Sequence, residues 1–162
     1  MITILITHNT AGPSGKDPGG SKAGGSSSRN DSPRTLLLRE GLRIMGRTAC
    51  AERFSPDMLK CTEDGKPFIP DLPDIHVSRS HSGEYIACAF SDREVGLDLQ
   101  EHSRVQTSTV RIAKRFFSSA EYEAILALEA GINAAKPGGP AGRSPLFLRM
   151  WSIKEASLKY LG

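Results

Sequence analysis

The sequence predicts an α+β fold, and three observations carry that prediction. "MITILITHN" alternates Ile2, Ile4 and Ile6 against Thr3, Leu5 and Thr7, the two-residue period of a strand built largely from β-branched side chains. A central block from Glu63 to Gln100 is rich in strand formers, prolines and turn residues. Segments with helical spacing and capping signals stand on both sides of that block, starting near Pro33, Ser118 and Pro145.

At 162 residues the chain falls in the usual range of one domain, and its 38% apolar content is enough for a core. Net charge is +3 and the isoelectric point is near 8.9, a mild basic bias that suits anionic partners. Aromatic content is 6%, and no RNA-binding or helix-turn-helix signature interleaves with the basic residues, which argues against nucleic acid. Cys50, Cys61 and Cys88 are odd in number and lack metal-ligand spacing, a pattern of reduced cytosolic proteins. There is no membrane-spanning run and no signal-peptide pattern, so the expected location is the cytoplasm, with no membrane partner.

Residues 1–9 form the first strand. Residues 10–32 are rich in Gly, Ser and Pro with almost no apolar side chain, and read as a flexible insertion. A helix follows, with Asp31 or Ser32 as cap, Pro33 in its first turn, and Leu36, Leu37, Ile44 and Met45 as apolar positions. Arg39, Arg43 and Arg47 recur every four residues along it; the stripe is either a solvated helix face or a docking surface for an acidic protein. In the central block Asp64-Gly65 is a turn, and Pro67, Pro70 and Pro73 keep the chain extended. "EYIACAFS" and "EVGLDLQ" read as a hairpin joined by "SDRE". Ser118 with Glu121 then gives a capping box, Ile125 and Leu128 an apolar face, and Gly131 a stop. "NAAKPGGPAGRSP" is a second loop, and Ser144-Pro145 opens the last helix. No internal repeat is present.

Three pieces carry candidate chemistry. In "VGLDLQ", strand alternation puts Val95, Leu97 and Leu99 on one side and Gly96, Asp98 and Gln100 on the other, with Gly96 leaving room for something bulky. In "MWSIKEASLKYLG", Trp151, Glu155 and Lys159 lie at i, i+4 and i+8 on one helix face, with Lys154 about a hundred degrees round. A routine Glu155–Lys159 salt bridge stays open there, as does a Ser152–Glu155 capping box, which an earlier start at Ser144-Pro145 disfavours. In "SRSHSGEY", Ser80, His81 and Ser82 precede a glycine at a turn, a cluster able to hold a phosphate. No acid is spaced to make His81 a triad base, so a serine hydrolase fits poorly.

In this order "HVSRSHSG", "VGLDLQ", "FFSSAEYEAI" and "WSIKEASLK" resemble the 4′-phosphopantetheinyl transferase superfamily, whose pattern is Gly-x-Asp followed by Trp-Ser-x-Lys-Glu-x-x-x-Lys. The Ser-His-Ser-Gly stretch resembles the larger, single-chain pseudo-dimeric type that activates peptide and polyketide synthetases. The resemblance covers the opening strand and residues 33–162. It implies a pseudo-dimeric fold of antiparallel sheets packed with helices, residues 33–94 being the first half and 95–162 a second half that is shortened.

The activity it implies is of the holo-acyl-carrier-protein synthase type: transfer of 4′-phosphopantetheine from coenzyme A to a serine of an apo carrier protein, releasing adenosine 3′,5′-bisphosphate. By resemblance, Asp98, Glu155 and Gln100 hold Mg²⁺, Gln100 standing where many relatives have Glu. Asp98, Glu155 and Lys159 are the catalytic set. Coenzyme A is contacted by Lys66, Ser80, His81, Lys154, Lys159, Arg34 and Thr35. The Gly/Ser insertion replaces a basic helical stretch of relatives, and the strands expected after the Lys-Glu helix are missing. A second reading is therefore a catalytically weak or inactive carrier-binding module using the arginine stripe.

Overall fold

The computed structural model describes residues 1–8, 32–102, 109–135 and 145–162. The β-branched opening forms β1 (Ile2–His8), and the capped segment after the insertion forms α1 (Pro33–Ile44). Ser32 is its N-cap, accepting from the Thr35 amide at 3.2 Å, with Pro33 in the first turn, where its missing N–H costs nothing. Then come α2 (Thr48–Arg53), a 3-10 turn (Pro56–Met58), β2 (Lys60–Cys61), β3 (Pro67–Phe68), β4 (His76–Ser82) and β5 (Tyr85–Ser91). Three helices complete the described chain: α3 (Thr109–Phe116), α4 (Ser119–Ala135) and α5 (Pro145–Leu161). The expected insertion lies outside the described residues apart from Ser32, and so do residues 136–144 of the second loop.

The strands make one antiparallel sheet in the order β1-β5-β4-β3-β2. Ser82 pairs with Tyr85, so Gly83 and Glu84 form a two-residue turn, and Gly83 takes the φ of 59° that such turns favour glycine for. Helix α1 covers one face of the sheet. Leu37, Leu38 and Leu42 join Val77, Ile86, Cys88 and Phe90 in a buried core, with Leu5 of β1 packed against it. Gly41 sets the contact distance, since a Cβ there would stand 2.0 Å from the Phe90 ring. On the other face of β1, Ile2, Ile4 and Ile6 are exposed. A second core joins the last helices: Ala113, Phe117, Ile125, Phe147 and Leu148, with Trp151 stacked on Phe147 at 6.1 Å between ring centres.

Several expectations change. Leu36 and Ile44 are exposed, because the phase of α1 is set by Gly41 and Leu42 over Phe90. "EYIACAFS" is β5, but its hairpin partner is β4, and "EVGLDLQ" forms no regular strand. Ser80, His81 and Ser82 lie in β4 itself, ahead of the turn. Helix α4 starts at its capping box, where the Ser118 amide donates to Glu121 at 2.7 Å and the Glu121 amide to Ser118 at 3.3 Å. It runs through Gly131, and Leu128 is exposed while Ile125 is buried. Helix α3 was not expected.

The arginine stripe is committed within the molecule. The Arg39 guanidinium donates twice to the Phe54 carbonyl, at 3.2 and 2.8 Å, Arg43 pairs with Glu40 at 3.3 Å, and Arg47 pairs with Asp74. Helix α1 ends at Ile44, so Arg47 is not on it at all. Arg39, Arg43 and Arg47 therefore do not form one stripe on one helix, although the Arg43 and Arg47 side chains stay 48% and 40% exposed.

Candidate active site

After β5 the chain bends back along β4 as an extended segment, residues 94–101, tied to it by side chains. Alternate residues of β4 are serines, and their hydroxyls accept from alternate amides of the segment: Leu97 to Ser78 at 2.9 Å, Leu99 to Ser80 at 3.1 Å, and Glu101 to Ser82 at 2.9 Å. No backbone ladder is needed, which is why the sequence reads as a strand and the segment is not one.

The segment's other flank meets α5. The space left by Gly96 is filled by helix backbone: an added Cβ would lie 1.9 Å from the Ala156 carbonyl oxygen and 2.6 Å from the Tyr160 amide nitrogen. That approach brings Asp98 to Lys159. The Lys159 ammonium donates to Asp98 Oδ1 at 2.8 Å and to Ser80 Oγ at 3.1 Å, Ser80 donates to Oδ1 at 3.0 Å, and the Gln100 amide donates to Oδ2 at 2.9 Å. The Asp98 side chain is 4% exposed and that of Lys159 32%. Glu155 sits one helical turn before Lys159 on the same face, half-buried, without an ion-pair or hydrogen-bond partner among the described residues.

Burial pushes the Asp98 carboxyl up, but hydrogen bonds from Lys159 and Gln100, the Lys159 charge and the Ser80 bond outweigh it, leaving the pKa below its ordinary 3.8. A carboxyl whose native pKa is depressed stabilises the fold fully above its unfolded value and loses that contribution as pH falls through the native one. Stability is therefore expected to decline as pH drops below about 4. The decline should be shallower in Asp98→Asn, read from urea midpoints between neutral and acid pH.

Beside this cluster opens a cavity of about 750 Å³, whose lining includes Arg34, Lys66, Arg79, His81 and Lys159, with Asp64 as its one acid among the described residues. The family model of the 4′-phosphopantetheinyl transferase superfamily matches residues 94–162, the stretch that carries Gly96, Asp98, Glu155 and Lys159. A 4′-phosphopantetheinyl transferase of Bacillus subtilis is 35% identical over 138 residues, covering 83% of this chain and 54% of that protein. The chain belongs to the 4′-phosphopantetheinyl transferase superfamily. Other members are similar to it as well: the transferase Sfp of Bacillus subtilis strain 168, 33% identical over the same shares, and psf-1 of Bacillus pumilus, 32% identical over 82% of this chain and 51% of that protein. The chain spans about half the length of the curated relatives it matches.

Within this superfamily chain, the expected residues divide by position. Asp98, Gln100, Ser80 and Lys159 form one hydrogen-bonded cluster. Ser80 and His81, expected to act together, point to opposite faces of β4: the Ser80 hydroxyl joins Asp98, while His81 is exposed at the cavity. Lys66 lines the cavity too, but its ammonium pairs with Glu94 and donates to the Tyr160 carbonyl at 2.6 Å, tying the Asp64-Gly65 turn to the end of α5. Arg34 lines the cavity. Its neighbour Thr35 is buried, and its hydroxyl lies 2.9 Å from that of the cap Ser32. Lys154 is not brought to the cavity; it pairs with Glu121 at 3.1 Å and lies 5.0 Å from the centre of the Phe117 ring.

The sequence reading missed Ser78 and Arg79, and it placed Ser82 in a phosphate-holding turn, whereas its hydroxyl accepts from the Glu101 amide. The alternate serines of "HVSRSHS" were a legible signal, since three hydroxyls on one strand face need partners there. No group of three or more His, Cys, Asp or Glu among the described residues is arranged to hold a metal ion.

Proposed function

We propose that this chain carries the site for moving 4′-phosphopantetheine from coenzyme A to a serine of an apo carrier protein. The observation that carries the reading is the 2.8 Å contact between Lys159 and Asp98, which joins the Gly-x-Asp and Trp-Ser-x-Lys-Glu motifs in one site although 61 residues separate them. The cationic cavity beside them suits a ligand with several phosphates.

The reaction forms a bond between the serine oxygen and the phosphorus that bears the pantetheine arm. It breaks the bridging P–O bond and releases adenosine 3′,5′-bisphosphate. Glu155, without an ion-pair or hydrogen-bond partner among the described residues, is the group to accept the serine proton. Lys159 faces the negative charge that builds on the departing phosphate. Asp98 and Glu155, with the Gln100 amide oxygen, are hard oxygen donors of the kind Mg²⁺ takes along with substrate phosphates and water, and Asp98 already holds a cation against its carboxylate. Bound there, the ion would supply charge neutralisation of the diphosphate.

The test is the mass of an apo carrier protein after incubation with this chain, coenzyme A and Mg²⁺. A gain of one phosphopantetheine is expected, with Glu155→Gln slowing it by about 10²- to 10⁴-fold. Absence of any gain by the unaltered chain, with carrier and coenzyme A both present, overturns the reading.

A further inference from the structure

A second cavity, of about 470 Å³, shares Lys66 and Pro67 with the first as lining residues. Its walls are mostly apolar, Phe68, Ile69 and Leu72 among them, and its other ionisable lining residues are His76 and Glu94. Neither of those two lines the first cavity. Lys66 therefore stands in a partition, with a cationic cavity on one side and a carboxylate on the other.

The Lys66 side chain is only 15% exposed, and an ammonium so placed needs a counter-charge. It pairs with Glu94, donates to the Tyr160 carbonyl at 2.6 Å, and lies 5.9 Å from the centre of the Tyr160 ring. Tyr160 does not line the first cavity either, so both partners hold the charge outside the space that the lysine helps to enclose. Glu94 has a further donor, since His76 Nδ1 lies 3.1 Å from its other oxygen. The hydrogen bond from Lys66, ahead of the Lys66 and His76 charges, holds the Glu94 carboxyl below its ordinary 4.5 against the opposing effect of burial. Glu94 thus carries a full negative charge at neutral pH, and it keeps one donor when Lys66 leaves.

We propose that Glu94 is an internal rival of the phosphate ligand: it holds the Lys66 ammonium outside the first cavity, and a bound phosphate draws that ammonium across while His76 keeps the carboxylate partnered. The inference rests on the transferase reading, which puts coenzyme A in the first cavity, and adds a residue that sets how tightly the ligand is held. A ligand that must open an internal pair binds more weakly in proportion to the fraction of molecules in which that pair is closed. Glu94 meets neither the ligand nor the reacting atoms. It is a positioning residue that acts through Lys66.

Calorimetric titration with coenzyme A of the chain, Glu94→Gln, Lys66→Met and the double variant tests this. Glu94→Gln keeps the size of the side chain and removes its charge. It is expected to bind coenzyme A roughly 2- to 5-fold more tightly, the range of a partly exposed ion pair, while its ligand-free melting temperature falls. A contact that only supports the fold gives the opposite sign, weaker binding together with lower stability. Lys66→Met is expected to bind more weakly than the unaltered chain, and adding Glu94→Gln to it should change nothing further. Weaker or unchanged binding by Glu94→Gln overturns the proposal, and so does an equal gain in the Lys66→Met background. If the unaltered chain and Glu94→Gln both fail to bind coenzyme A, the transferase reading falls. Inorganic pyrophosphate then decides the rivalry: tighter binding by Glu94→Gln that requires Lys66 retains it, and no difference or no binding removes it.

Discussion

Gly96→Ala is expected to destabilise the fold by at least about 1–3 kcal/mol, the usual cost of forcing a methyl group into filled space, and to abolish phosphopantetheine transfer. The atoms a methyl would meet, the Ala156 carbonyl oxygen at 1.9 Å and the Tyr160 amide nitrogen at 2.6 Å, belong to the backbone of α5 and cannot rotate away. Either the 94–101 segment or the helix must retreat by more than an ångström. The segment is held by three serine hydroxyls, and the helix by the Trp151–Phe147–Phe117 cluster. Asp98 is two residues further on, so the retreat separates it from Lys159, and the site and the fold fail together. Urea midpoints and the carrier-mass assay check this; a variant that keeps both its stability and its activity shows that the close approach is not required.

Gly96 also shows what the sequence made legible. Its meaning was visible as a space beside Asp98, and the convergence of Asp98 with the last helix was what the family resemblance implied. The strand β1, the cap of α1 at Ser32, the Asp64-Gly65 turn and the Ser118–Glu121 capping box were legible because each rests on chemistry within a few residues. What failed depended on distant partners. The burial phase of α1 is decided by Phe90, 49 positions beyond Gly41, and the state of "EVGLDLQ" by serines nineteen residues earlier. Lys154 looked like a cofactor ligand because nothing local reveals that Glu121 will face it.

The second large effect concerns Lys159. Lys159→Met is expected to lower stability by about 1–3 kcal/mol; breaking a fully buried pair costs 3–5, but Lys159 is about a third exposed and water can replace part of its charge. Ser80 and Gln100 still hold the carboxylate, yet the burial that pushes its pKa up is then opposed by less. If the native pKa rises above the unfolded value, Asp98 stabilises the fold only at low pH and the contribution is lost as pH rises through the native pKa, the reverse of the unaltered chain. Transfer should fall by about 10²- to 10³-fold. Asp98→Asn combined with Lys159→Met should recover part of the stability but none of the activity, and additive losses in that double-mutant cycle would show that the two groups do not interact.

The row of hydroxyls along β4 has a mechanical corollary. Backbone pairing can creep by one residue, since every peptide offers the same groups, but side-chain acceptors recur only at every second position and act like the teeth of a ratchet. A one-residue slip turns the amides toward Val77, Arg79 and His81, which point away, and a two-residue slip shifts Asp98 by roughly 6.6 Å, out of reach of the ammonium it touches. The number of residues between Ser91 and Leu97 therefore matters to the proposed site as much as the carboxylate itself, and a deletion there should silence the proposed transfer while every side chain of the cluster is still encoded.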